Sequence, residues 1–129
     1  MGQPTVAAIQ DVVVVSVPVT DQERSRAFFV DRLGFELVSD SEAGGLHWVE
    51  VRPHGSSTSL TLVTWFPSMS AGSLHGLVLG TDDVADAYRR LSERGVEFDH
   101  EPQEAFWGTY TTFSDPDGNS FVLAQSTAS

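Results

Sequence analysis

Residues 20–36 read TDQERSRAFFVDRLGFE, and residues 81–97 read TDDVADAYRRLSERGVE. Thr20-Asp21 and Thr81-Asp82 stand 61 residues apart, as do Gly34 and Gly95, and Glu36 and Glu97. Each stretch opens on short oxygen-bearing side chains of the kind that cap helices. Each closes on a glycine, which tolerates the left-handed turn that ends a helix. Glu23 follows Thr20 at the capping-box spacing, so Thr20 is the expected N-cap. Val84, Ala87, Tyr88 and Leu91 mark one apolar helix face in the second stretch. The spacing predicts helices over about Asp21 to Leu33 and Asp83 to Arg94.

The same order of strands surrounds each helix. Before the first lies Val12 to Val19, a β-branched run that reads as a strand. After it come Phe35 to Val38, Leu46 to Arg52 and Ser59 to Trp65, separated by turns rich in Gly, Pro and Ser. A Pro/Ser/Gly linker follows Phe66, and the order then repeats. Leu74 to Gly80, Val96 to Phe98, Thr109 to Phe113 and Ser120 to Gln125 read as strands, and the Ser-Thr-Ala-Ser tail is expected to fray. An internal repeat of this kind predicts an α+β chain. Its two βαβββ modules, about 10–66 and 73–126, form a single domain over residues 1–129. A curved mixed sheet with helices on its convex side buries what neither half can bury alone.

Composition narrows the function. The chain has 129 residues, no cysteine, and 18 Asp and Glu against 7 Lys and Arg, for a formal charge of −11. The missing cysteines exclude disulfides, thiolate metal sites and a cysteine nucleophile. Nucleic acid and anionic membranes bind through clustered cations, so neither is an expected partner. The start, MGQPTVAAIQD, carries no basic region followed by an apolar stretch, which points to the cytoplasm.

The stretches VPVTDQERSRAFFVDRLGFEL, TDDVADAYRRLSERGVEF and DPDGNSFVLAQ together resemble the vicinal oxygen chelate superfamily, the glyoxalase/bleomycin-resistance/dioxygenase fold. The resemblance covers nearly the whole chain and implies the fold more than any reaction. It also implies where a divalent metal sits in catalytic members: His, Glu or Gln on the first and last strands of each module. Carried onto this chain, those places fall on Val14, on Thr61, on His75 or Gly76, and on Val122. Three of the four offer no imidazole or carboxylate. The resemblance therefore implies no tightly bound metal here and no cofactor.

Strand alternation supplies the candidate site. In LHWVEV, Val49 and Val51 share a face with His47, and Trp48 and Glu50 share the other. The helix-covered face must be apolar, which places Val49 and Val51 there and turns Trp48 and Glu50 toward the concave side. Trp65 and Tyr110 fall on the same concave faces, and Trp107 stands at the rim. An aromatic cleft with one carboxylate suits a planar organic molecule. His54 and His100 read as loop residues, and His47 and His75 as strand residues with ordinary hydrogen bonds. The DPDGN stretch reads as a tight turn, since it lacks the distal Glu of a calcium loop.

The expected function is metal-independent binding of a hydrophobic or aromatic small molecule, as in sequestration of an antibiotic-like compound. A cationic ligand is favoured by the acidic chain. The alternative is a lyase, isomerase or dioxygenase with an altered metal site. Open sheet edges predict a homodimer.

Overall fold

The structure, a computed structural model, describes residues 8–126. Its elements run in the repeated order: β1 (Val14–Pro18), α1 (Gln22–Ala27), β2 (Glu36–Ala43), β3 (Leu46–Arg52), β4 (Ser59–Val63), β5 (Leu77–Gly80), α2 (Val84–Glu93), β6 (Gln103–Ala105), β7 (Gly108–Ser114) and β8 (Ser120–Ser126). β8 includes Ser126, the first residue of the expected tail; the other three lie outside the described residues. The strands make two mixed four-stranded sheets, ordered β1-β4-β3-β2 and β5-β8-β7-β6. In each, the strand before the helix pairs in parallel with the last strand of its module, and the remaining ladders are antiparallel.

Local chemistry moves several boundaries. The cap of α1 is Asp21, not Thr20: its carboxylate accepts from the N–H groups of Glu23 and Arg24 at 3.0 and 3.2 Å. Thr20 donates its hydroxyl to Asp117, 97 residues away, at 2.6 Å. The helix does not run unbroken to Leu33. From Phe28 to Arg32 it widens into a π-type turn, and the Leu33 N–H reaches the Phe28 carbonyl at 3.0 Å. That turn carries both Phe28 and Phe29 into the core. β2 extends to Ala43 because it forms a hairpin with β3 over Gly44 and Gly45, both at positive φ. β5 begins only at Leu77, after Gly76 at φ 84°, so His75 precedes the strand. Val96 to Phe98 is not a strand; Phe98 alone bridges to Phe113, and the strand instead forms at Gln103–Ala105.

One apolar cluster draws on both modules. Val17, Val49, Val51, Leu60 and Leu62 join Phe113, Phe121 and Leu123 through Phe28 and Phe29. Phe29 meets Phe121 edge-on at 5.8 Å, and Phe28 lies 6.4 Å from Phe113. Burying these side chains contributes about 1.5–3 kcal/mol each.

The DPDGN turn joins the modules. Buried Asp115 accepts from the N–H groups of Asp117 and Asn119 and from the Asn119 amide, at 2.8–3.0 Å. The same Asn119 amide donates to the Pro18 carbonyl at 2.8 Å, and its oxygen accepts from Leu74 N–H at 3.0 Å. Asp117 pairs with Arg24 at 3.0 Å. A second seam is reciprocal: Arg32 donates to the Gly95 carbonyl at 3.0 Å, and Arg94 donates to the Asp31 carbonyl at 2.6 Å.

Candidate functional site

Alternation along β3 resolves cleanly. Val49 and Val51 are 1% and 0% exposed in the core, whereas Trp48 and Glu50 are half-buried on the opposite face. Across the sheet, Glu50 stands in register with Thr61 of β4 and Ser39 of β2, and Thr61 with Ser16 of β1. Ser16 and Thr61 bring their hydroxyl oxygens within 3.5 Å. A polar row, Ser16, Thr61, Glu50 and Ser39, thus crosses the sheet with one carboxylate in it.

Trp48 lies beside that row. Its indole stacks on Trp65 with ring centres 6.1 Å apart and planes 27° from parallel. Its N–H donates to Glu50 at 3.0 Å, which fixes both side chains. No cation pairs with Glu50 among the described residues, so its charge is oriented but not neutralised. Phe66 extends the aromatic group, its ring 6.1 Å from Trp65.

Gln22 holds this end of the sheet. Its side-chain amide donates to the carbonyls of His47 and Leu62, at 2.7 Å each. The β3–β4 ladder covers Glu50–Thr61 and Val51–Leu60. Nearer Trp48 the amide bridges the two strands in place of the ladder, and so sets the spacing beneath Trp48 and Trp65. The chain position gave no sign of this, because Gln22 reads as an ordinary first-turn residue.

Module two carries a second aromatic group. Tyr110 of β7 stands opposite Gln103 and Ala124. Trp107 lies 5.5 Å from the Tyr110 ring, and His100 meets it edge-on at the same distance. The Tyr110 hydroxyl donates to Gln103 at 3.3 Å. His100 and Gln103 belong to this group although sequence reasoning missed them; both sit in loop or edge segments without a periodic signal. The structure brings Trp48, Glu50 and Trp65 together, and Trp107 with Tyr110. No ring contact among the described residues joins the two groups.

The remaining histidines have local partners. His47 bonds Asp40 at 2.5 Å, with Arg26 on the other carboxylate oxygen at 3.3 Å. His75 shares a hydrogen bond with Ser120 at 2.9 Å, and exposed His54 faces Glu36 at 3.4 Å.

Residues 10–123 match the profile of the Glyoxalase/Bleomycin resistance protein/Dioxygenase superfamily. The chain belongs to this superfamily. It is 48% identical to TnmS3, an antibiotic binding protein from Streptomyces sp. CB03234, whose crystal structure superposes with a TM-score of 0.89 over 93% of this chain and 98% of that one. A superfamily member from Sphaerobacter thermophilus is 37% identical, with a TM-score of 0.83, covering 91% and 98% of the two chains. YetH of Bacillus subtilis, an uncharacterised protein, is 34% identical over 91% of this chain and 99% of its own length.

Catalytic members of the superfamily imply a metal, and the residues here can be tested against it. Val14 and Val122 are hydrocarbon, and Thr61 is 1% exposed with its hydroxyl near Ser16. Gly76 has no side chain, and His75 lies exposed ahead of β5. Among the described residues no three His, Asp or Glu side chains gather into a metal-holding group. This donor set does not fit the metal.

Proposed function

We propose that this superfamily member binds a planar, aromatic, cationic small molecule in the cytoplasm and holds it without changing it. The observation that carries the reading is the Trp48–Trp65 stack with Glu50 beside it. Two stacked indoles offer flat apolar area, and a fixed carboxylate with no cationic partner among the described residues selects charge. Stacking contributes roughly 0.5–1.5 kcal/mol per aromatic pair beyond area burial. A cation over an indole face adds about 0.5–2 kcal/mol. The formal charge of −11 raises the local concentration of such a ligand.

Trp107 and Tyr110 form the second wall of the same ligand cleft. The chain acts as a homodimer: Val78 and Phe106 are 59% and 97% exposed on module two, apolar surface that a second copy covers. The likeness to TnmS3 supports the binding role. Titration with an acridinium salt tests it: saturable quenching of tryptophan fluorescence is expected, and quenching that grows linearly without saturation contradicts it.

A further inference from the structure

A cleft of about 390 Å³ opens between the end of the first helix, the outer end of β5 and one face of α2, and none of the aromatic residues of the proposed site lines it. Its floor is core, Phe113 and Leu123, at 1% and 6% exposure. Its walls are Leu33, Phe35, Leu79 and Leu91, half-buried and packed against that core. The volume lies in the range of small-molecule pockets.

The polar lining is unusual for this chain. Against a formal charge of −11, the cleft presents two guanidiniums, Arg90 and Arg94, and one carboxylate, Asp86. Asp86 is already shared, taking Arg89 at 2.7 Å and Arg90 at 3.3 Å. Arg94 spends one nitrogen on the Asp31 carbonyl at 2.6 Å. The other guanidinium N–H groups of Arg90 and Arg94 make no hydrogen bond among the described residues. Ala87, Arg90 and Leu91 follow one another at helical spacing, and Arg94 continues the series at the C-cap, so the cations and the apolar wall line the same side.

We propose that this cleft is a second ligand site, for a small amphipathic monocarboxylate. The apolar body lies over Leu79 and Leu91, and the carboxylate takes the open N–H groups of Arg90 and Arg94. Guanidinium presents a planar fork that matches a carboxylate in two parallel hydrogen bonds. A cation is repelled here, and a neutral molecule leaves the fork unused. The charge preference is thus opposite to that of the Glu50 face, and the two sites stand or fall separately.

The test is an amide-resolved NMR titration of the full chain with naphthoate, with neutral naphthamide as its isostere. The expected result is saturable shifts at Leu79, Gly80, Thr81, Arg90 and Leu91. Naphthoate should bind about tenfold or more tighter than naphthamide, the scale of one charged hydrogen bond. Arg90→Gln should erase most of that preference. Arg90 is largely exposed, so this variant keeps the fold, whereas Arg94→Gln also loosens the hold on Asp31. Equal affinity for the two probes overturns the proposal, as does an undiminished preference in Arg90→Gln. Shifts confined to residues around Trp48 and Trp65 overturn it too. So does silence at the cleft amides, the result expected if a second copy of the chain fills it.

Discussion

The indole N–H of Trp48 donates to the carboxylate of Glu50, two residues further along the same strand face, at 3.0 Å. The contact aims Glu50 without pairing it to a cation, because an indole offers a donor but no positive charge. On the proposed reading, a ligand cation over this face would meet an oxygen already held in place, with little side-chain entropy left to lose.

Glu50→Gln keeps the shape and removes the charge. Affinity for a planar cation should fall by about 1.5–3 kcal/mol, the scale of a charged hydrogen bond, while thermal stability stays near that of the parent. Calorimetric titration of both proteins with acridinium measures the difference, and equal affinities would remove Glu50 from the site.

Gln22 is expected to act through Trp48 and Trp65 rather than on the ligand. Gln22→Leu removes both 2.7 Å hydrogen bonds and leaves the carbonyls of His47 and Leu62 without that donor. The cost to stability should be about 1–3 kcal/mol. The exciton couplet that stacked indoles give in circular dichroism should weaken in step with ligand affinity. A couplet of full strength in a destabilised Gln22→Leu protein would limit Gln22 to a structural role.

The repeat makes a paired prediction. Gly34 and Gly95 both follow their helices at positive φ, 78° and 91°. A Cβ on Gly34 meets nothing within 4 Å among the described residues, whereas one on Gly95 runs into the Arg32 guanidinium. Gly34→Ala should cost about 1–2 kcal/mol for the left-handed backbone alone. Gly95→Ala should cost more, and the excess should vanish in an Arg32→Ala background. Equal costs in denaturant unfolding would contradict the clasp.

Much of this was legible in the chain. The glycines, the helix positions and the two faces of β3 follow from spacing and alternation, which are local. What was not legible depends on partners distant in sequence. Thr20 satisfies the capping-box spacing yet serves Asp117, and Asp21 takes the cap. The SDSEA end of β2 carries no strand signal; pairing with β3 across Gly44-Gly45 makes it one. His100 reaches Tyr110 only because its loop is bonded to β7, with Asp99 N–H on the Thr112 carbonyl at 2.9 Å.

Two carboxyls respond oppositely to acid. The hydrogen bond from Arg52 holds Glu36 below its ordinary value of 4.5. Its contribution is present above that value and is lost as pH falls through the lower folded value. Burial is the main influence on Asp115, raising it above 3.8 against the opposing hydrogen bonds from Asn119 and Asp117. The folded state therefore binds that proton more tightly, and its share of stability declines as pH rises from 3.8 through the raised value. Glu36→Gln should flatten the loss of stability below pH 4.5. Denaturant midpoints measured across that range check it, and an unchanged acid limb would contradict it.

The central claim is that a planar cation lies on the indoles of module one beside Glu50, with Trp107 and Tyr110 as the facing wall. A crystal structure of the chain soaked with acridinium tests this most directly. The account predicts ring density parallel to Trp48 and Trp65, with the ring nitrogen directed at Glu50 and Tyr110 on the far side. Density at any other surface, with the Trp48–Trp65 face empty, would contradict it.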